Sequence, residues 1–198
     1  DGRLIFDDER IVWFGKTAPG YPVNRSIGAG HGESKLKEQI QPGNRNKAIS
    51  EYVYSAMSRW VAYHFHDTSE TAAMRGGCTV RDYERLRHDG ANLGAFLYWL
   101  HEEEGGSYEL IRDTIRLMAP FFDDFMFRPK KRGGDEFVEL EWRQKGSDFP
   151  FHPNQLSDGT MRFVALSTAL LQPEPPATVF IDEPELGLHP YAISLLAD

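Results

Sequence analysis

Cysteine is almost absent from this sequence, because Cys78 is the single one among 198 residues. An internal disulfide is therefore excluded, and a reduced, cytoplasmic setting is expected. The sequence also has no apolar run near the ~20 residues that a membrane-spanning helix needs. Its first residues, DGRLIFDDER, do not follow the basic-then-apolar order of a secretory signal. We therefore predict cytoplasmic localisation and no membrane partner.

Positive charge is scarce as well. The 30 aspartates and glutamates outnumber the 22 lysines and arginines, which gives a net charge of −8. Such a surface disfavours broad electrostatic binding of nucleic acid. One dense basic cluster, RPKKRGG at Arg128–Gly134, leaves a local contact with nucleic-acid phosphates open, although we favour a solvated hairpin tip. With 40% hydrophobic and 26% charged residues, the composition is that of a globular domain.

Hydrophobic spacing and turn residues divide the chain into short segments. In the first part we predict a β-hairpin over Gly2–Gly15, a loop over Lys16–Ser34, a short helix after Ser34 and a helix from Asn46 that becomes a strand near Tyr63. In the middle we predict two amphipathic helices split at Gly105–Gly106 and two strands over Asp123–Gly146 joined through KKRGGD. In the last part we predict a helix over Thr160–Leu171, a strand over Thr178–Ile181 and a helix from Pro190. In larger blocks, these are a hairpin and loop at 1–32, a mainly helical lobe at 33–120, a hairpin layer at 121–155 and a helix-plus-strand segment at 156–198.

The stretch TVFIDEPELGLHP, Thr178–Pro190, places two carboxylates at the end of a short apolar strand. A strand that is apolar on both faces is typical of a covered parallel sheet, and ligands bind beyond the carboxyl ends of such strands. Asp182 can hold Mg²⁺ against the phosphates of a nucleotide, and Glu183 can orient and polarise an attacking water. A surface turn with two solvated acids explains the same residues, so this motif alone leaves both interpretations open.

A second motif, LSDGT at Leu156–Thr160, precedes that strand with one helix between them. Ser157 is well placed as a helix N-cap, and Gly159 lets the backbone approach a ligand closely. The helix from Thr160 then directs its N-terminal amides and positive dipole at an anion. An ordinary capped helix is the alternative. Each motif is weak alone, whereas the ordered pair is much more specific.

The pair LSDGTMRFVALSTALL and TVFIDEPELGLHP resembles the ABC-type ATPases of the RecF/SMC-like class, which is often filed among AAA-type core ATPase domains. Four further stretches look like the same class: SIGAGHGESKL, HFHDTS, DGANLGAFLYWL and APFFDDF. The resemblance covers most of the chain. It implies an α/β fold, a partial P-loop NTPase-like ABC ATPase head, with an antiparallel hairpin layer and a helical lobe.

The resemblance also implies roles for individual residues. Ser157 and Gly159 would form the signature loop, which contacts the γ-phosphate of ATP bound to a second subunit. Asp182 would secure Mg²⁺, and Glu183 would act on the hydrolytic water of this Walker B strand. The loop Glu185–Pro190 would communicate across the dimer, where His189 would contact the nucleotide or only shape the turn. ATP and Mg²⁺ are the implied ligands.

The signature departs from the commoner transporter form at two positions, because Asp158 replaces a glycine and Thr160 replaces a glutamine. A carboxylate that pointed at the phosphate site would repel it. We therefore expect Asp158 to point away or to bind backbone amides.

A phosphate-binding Walker A loop, G-x-x-x-x-G-K-[ST], is missing from the sequence. Gly15, Lys16 and Thr17 match its last three positions, but Arg10 stands where the earlier glycine is required and Pro19 stops a helix from opening. The chain also ends before the downstream strand and switch histidine of the resembled class. We interpret it as an interior piece of a longer ATPase, and we expect no tight ATP binding by this segment alone.

The implied partner is a second copy of the chain in the nucleotide-bound state, with DNA or a nuclease or effector protein left open. A different class of function also fits, namely a non-catalytic interaction or dimerisation module that retains the ATPase fold. Metal binding by His64 and His66 is a further alternative, but no other metal-ligand cluster supports it and satisfied histidines are favoured. Cys78 has no activating neighbours in the sequence.

Overall fold

The computed structural model describes residues 4–14, 22–44 and 47–197. The rejected Walker A candidate Gly15–Thr17 lies outside the described residues. Within these ranges the chain is mixed α/β, with five α-helices, nine β-strands and several short 3-10 turns. It divides into two compact units, Asp1–Trp60 and Val61–Asp198.

The first unit is built on a β-hairpin with a short 3-10 turn and one α-helix. Strand β1 (Glu9–Phe14) pairs antiparallel with β2 (Pro22–Gly28), and they are followed by the 3-10 turn Leu36–Ile40 and helix α1 (Lys47–Met57). The predicted hairpin within Gly2–Gly15 was therefore wrong, because the partner strand lies in the segment that we predicted as a loop. The acids of the DDE stretch bind this later segment instead: Asp8 accepts a hydrogen bond from the Ser26 hydroxyl at 2.9 Å.

The second unit contains four helices, of which the predicted signature helix is the most deeply buried. They are α2 (Leu93–Glu103), α3 (Gly105–Met118), α4 (Asp158–Leu171) and α5 (Pro190–Ala197). Every residue of α4 from position 160 to 169 is buried, so this helix is surrounded by the rest of the unit. The two amphipathic helices predicted around Gly105 are confirmed, with the break at Glu104. No helix of the described residues is both long and apolar enough to cross a bilayer.

The strands that follow α1 form three small sheets. Strand β3 (Trp60–Tyr63) pairs with β9 (Thr178–Ile181). A second sheet contains β4 (Cys78–Thr79), β7 (Asp135–Val138) and β6 (Lys130–Arg132), in that order. In the third, β5 (Phe122–Met126) pairs antiparallel with β8 (Glu141–Gln144). The sequence predicts two strands over 123–146, whereas the structure has four strands in this region. The tip of the β6–β7 hairpin is Gly133–Gly134, where both glycines adopt the positive φ that tight turns require.

Strand β9 has the bounds that the sequence predicts, but not the predicted surroundings. It belongs to a two-stranded sheet in the described part of the chain, and three of its residues are only half-buried. Phe180 is 50% exposed. The expected central position in a covered parallel sheet is therefore not found here. The apolar sequence of a strand shows that both of its faces are able to be buried, but it does not determine how many strands pair with it.

Ser167, at the centre of α4, is fully buried, and its Oγ has no hydrogen-bond partner among the described residues. The hydroxyl of the adjacent Thr168 donates to the Val164 carbonyl at 2.8 Å. We expect Ser167→Ala to raise the free energy of unfolding by about 1 kcal/mol, because it removes an unsatisfied buried polar group and favours the helix. For a chain of this size, the melting temperature would rise by about 2–4 °C in a calorimetric scan.

The neighbouring variant Thr168→Ala is the control for this prediction. It removes a satisfied hydroxyl and a buried methyl group, so we expect it to lower the free energy of unfolding by about 1 kcal/mol or more. A loss of stability in both variants would show that the Ser167 hydroxyl is satisfied in solution.

Candidate functional site

The two carboxylates of the FIDE motif stand on a tight turn that follows β9. The side chains of Asp182 and Glu183 are 76% and 59% exposed. Glu183 has φ +44°, the one positive φ of a non-glycine residue in the described ranges. Backbone strain of this kind is concentrated at functional sites. The turn is closed by hydrogen bonds from the amide of Leu186 to the Glu183 carbonyl and from the amide of Leu188 to the Glu185 carbonyl, both at 3.0 Å.

The imidazole of His66 lies across both carboxylates. Its Nε2 is 4.0 Å from Oδ2 of Asp182, and its Nδ1 is 3.9 Å from Oε2 of Glu183. These distances are too long for direct hydrogen bonds. His66, the two carboxylates and Arg162 line one shallow depression.

A buried arginine on α4 holds the two sides of this depression together. Arg162 donates from Nε to the Phe65 carbonyl at 2.9 Å and from Nη2 to the His66 carbonyl at 2.8 Å. Its Nη1 donates to the carbonyl of Leu186, in the turn after the carboxylates. Since the residue is only 6% exposed, these carbonyls have little water to replace the guanidinium. Arg162 therefore fixes the backbone of both His66 and the post-strand turn.

The LSDGT motif begins α4 as predicted, with Ser157 as the N-cap. Its hydroxyl accepts from the Thr160 amide at 3.2 Å and lies 2.8 Å from the Thr160 hydroxyl. Gly159 lies against the post-strand turn: a Cβ atom at this position would be 2.5 Å from the carbonyl oxygen of Gly187. Only glycine avoids that clash without a backbone shift, so the LSDGT motif and the carboxylate turn lie against each other.

Asp158 is held by a second buried arginine. Nη2 of Arg75 donates to its carboxylate at 2.9 Å, while other donors of Arg75 reach the carbonyls of Thr68 at 2.8 Å and Leu156 at 3.1 Å. The negative charge of Asp158 is thus balanced by a guanidinium, although its side chain remains 72% exposed. The sequence predicted that this acid turns away or binds backbone amides; its observed partner is an arginine.

His189 has a local role in the structure. Its Nδ1 accepts the amide hydrogen of Tyr191 at 3.2 Å, and its carbonyl accepts from Ala192 at 2.8 Å, so it caps the start of α5. This agrees with the turn-forming interpretation. Contact between His189 and a nucleotide stays a prediction.

The two histidines of HFHDTS are separated by the fold rather than joined in a metal site. Strand β3 ends at Tyr63, and the ring of His64 meets His88 edge-on at 6.2 Å, whereas His66 faces the carboxylates. The sequence pairs His66 with His64 only in the disfavoured metal alternative, whereas the structure places it beside the two carboxylates. Arg162 was missed, although a lone arginine within the apolar run MRFVAL is itself a signal of a buried anchor.

The basic cluster Arg128–Gly134 is partly neutralised within the chain. Arg128 and Lys130 pair with the buried Glu141 at 3.1 and 3.7 Å. Glu141 also lies near Glu139 and His152, in a trio whose ligand atoms are all within 4.8 Å of one another. Because Glu141 already has two cationic partners, we assign no metal to this trio.

The donors of the main depression suit a hard cation. Asp182 and Glu183 supply exposed carboxylate oxygens, which are the ligands that Mg²⁺ prefers. The exposure of Asp182 leaves room for the water ligands that Mg²⁺ retains. The residues present therefore fit this ion.

Comparison with known families shows which family the chain resembles. A family model described as "AAA domain, putative AbiEii toxin, Type IV TA system" matches residues 41–198, a range that contains the whole depression, both buried arginines and the LSDGT motif. Neither the curated proteins nor the solved structures include a protein that matches the chain.

Proposed function

Because the chain belongs to this family of AAA domains, we propose that it forms part of an ATPase that hydrolyses ATP with Mg²⁺. The observation that carries the proposal is the turn after β9, where Asp182 and Glu183 stand side by side and the Gly187 carbonyl lies against Gly159 at the start of α4. In AAA-type domains generally, ATP is the substrate and an acidic residue at the end of a strand helps to bind the metal ion. A finer assignment to the ABC-type, RecF/SMC-like class is supported by the order of the two motifs, LSDGT before FIDE, with a single helix between them.

In the proposed reaction, Asp182 would hold Mg²⁺, which would neutralise charge on the β- and γ-phosphates. Glu183 orients the attacking water and accepts its proton. The water oxygen forms a bond to the γ-phosphorus as the bond from that phosphorus to the β–γ bridging oxygen breaks. ADP leaves with the electron pair, and the proton passes from Glu183 to the released phosphate.

We further propose that the signature loop acts on ATP held by a second copy of the chain. The support is the geometry of α4, since Ser157 is exposed at its N-terminus and the helix dipole points outward there. Arg75 keeps the charge of Asp158 balanced beside this end. The nucleotide would be sandwiched head-to-tail between two copies, with His189 near the same interface.

The proposal is tested by measuring phosphate release from ATP by the complete protein. We expect turnover with Mg²⁺ and none with excess EDTA. Asp182→Asn is expected to lower turnover at least about a hundredfold, because the metal supplies several kcal/mol of transition-state stabilisation. A matched control is Asp148→Asn, an acid in the loop that precedes the LSDGT motif, which should leave turnover unchanged. Equal turnover in the Asp182 variant would remove this residue from the metal site.

The exposure of both carboxylates favours one second candidate, a non-catalytic interaction module that keeps the fold. An acidic turn that points into solvent is able to contact a basic partner protein without any chemistry. This candidate predicts no phosphate release under any metal condition, combined with a partner interaction that depends on Asp182 and Glu183.

A further inference from the structure

His66 is a third polar group within reach of the reacting centre. Each of its two ring nitrogens faces a different carboxylate, at 4.0 Å for Asp182 and 3.9 Å for Glu183. A water molecule that hydrogen-bonds two atoms at about 2.8 Å each separates them by roughly 4 Å when its bonds meet near a right angle. The gap between Nδ1 and Glu183 therefore has the width of one bridging water.

We propose that His66 holds the attacking water together with Glu183. The inference rests on the proposed ATPase function and adds a residue to it. In this arrangement the water gives one O–H to Oε2 of Glu183 and the other to Nδ1 of His66, which leaves an oxygen lone pair directed at the γ-phosphorus. Glu183 still takes the proton, so the balance of the reaction is unchanged.

The role requires one particular tautomer of His66. A neutral imidazole has one N–H donor and one acceptor nitrogen. The role places the N–H on Nε2, which faces Asp182. Nδ1 is then left as an acceptor toward the water beside Glu183.

The backbone of His66 is held firmly enough to position its ring. Its carbonyl and that of Phe65 accept from Arg162, and the Thr68 carbonyl accepts from Arg75. Phe65 is buried and its ring stacks on Tyr63 at 5.1 Å. The segment that presents the imidazole is therefore anchored on both sides, whereas the ring itself faces the depression.

The experiment compares His66→Leu, His66→Gln and the control His64→Ala in the complete protein. We expect His66→Leu to lower kcat about tenfold, the equivalent of one hydrogen bond, with KM for ATP unchanged because His66 faces the water and not the phosphates. His66→Gln keeps an acceptor and should retain kcat within about threefold of the parent. His64 is exposed and turned to His88, so its variant should match the parent.

A binding measurement supplies a second readout. ADP with Mg²⁺ and aluminium fluoride mimics the transition state, including the attacking water. His66→Leu should weaken this complex about tenfold and leave the affinity for ADP alone unchanged. Circular dichroism confirms that each variant is folded.

The outcomes separate the inference from the function on which it rests. If Glu183→Gln abolishes turnover while His66→Leu keeps the parent kcat and the parent affinity for the aluminium fluoride complex, the role of His66 is refuted and the ATPase stands. If the complete parent protein releases no phosphate from ATP with Mg²⁺, the ATPase proposal itself fails. Equal losses in His66→Leu and His66→Gln would also contradict the water-holding role, because glutamine supplies the acceptor.

Discussion

Glu183→Gln is expected to lower the ATP turnover of the complete protein by about 10²–10⁴-fold, the usual contribution of a positioned general base. Glutamine has nearly the same shape as glutamate but cannot accept the proton of the attacking water. Nucleotide binding should persist, because the substitution removes no group that contacts the phosphates. Phosphate release and equilibrium binding of a fluorescent ATP analogue measure the two effects separately.

Glu174→Gln is the matched control, since Glu174 is exposed and lies before β9 at the opposite end of the strand from the carboxylate turn. It makes the same chemical change and should leave turnover at the parent level. Loss of nucleotide binding in the Glu183 variant would mean that this carboxylate supports the site structurally. Unchanged turnover would remove Glu183 from the reaction.

Arg162→Met should lower the free energy of unfolding by about 3 kcal/mol. The guanidinium donates hydrogen bonds to the carbonyls of Phe65, His66 and Leu186, and Arg162 is only 6% exposed. A buried carbonyl that loses its donor costs about 1–3 kcal/mol, and methionine fills the volume without replacing any donor. Urea titrations followed by circular dichroism measure the change.

The control for this variant is Arg87→Met, at an arginine whose side chain is 56% exposed and pairs with Asp82 at 2.9 Å. An exposed ion pair of this kind contributes at most about 1 kcal/mol. If both variants lost the same free energy of unfolding, the buried hydrogen bonds of Arg162 would contribute no more to stability than the exposed ion pair of Arg87. Recovery of most of the stability in Arg162→Lys would show that positive charge matters more than the planar arrangement of donors.

The parts of the structure that the sequence predicts well are those that depend on neighbouring residues. Ser157 caps α4 because a serine hydroxyl at that position reaches an amide three residues later. The limits of β9 follow from the apolar run Thr178–Ile181 between two proline-containing segments. Helical spacing in the same way predicts α2 and α3.

The parts that the sequence does not predict depend on contacts between distant segments. The glycine- and proline-rich segment around β2 predicts a loop, because the strand is defined only by its pairing with β1. The partner of Asp158 is an arginine 83 positions earlier. His66 approaches Glu183 because Arg162 holds both segments, and spacing along the chain contains no trace of that convergence.

The backbones of Gly159 and Gly187 lie close together, and neither residue has a side chain that could adjust between them. Steric repulsion between backbones is steep and short-ranged, so a shift of one turn toward the other displaces it. Ionic strength screens charge pairs but has no effect on such a contact. In the proposed ATPase, any coupling between the two loops through this contact would therefore be insensitive to salt.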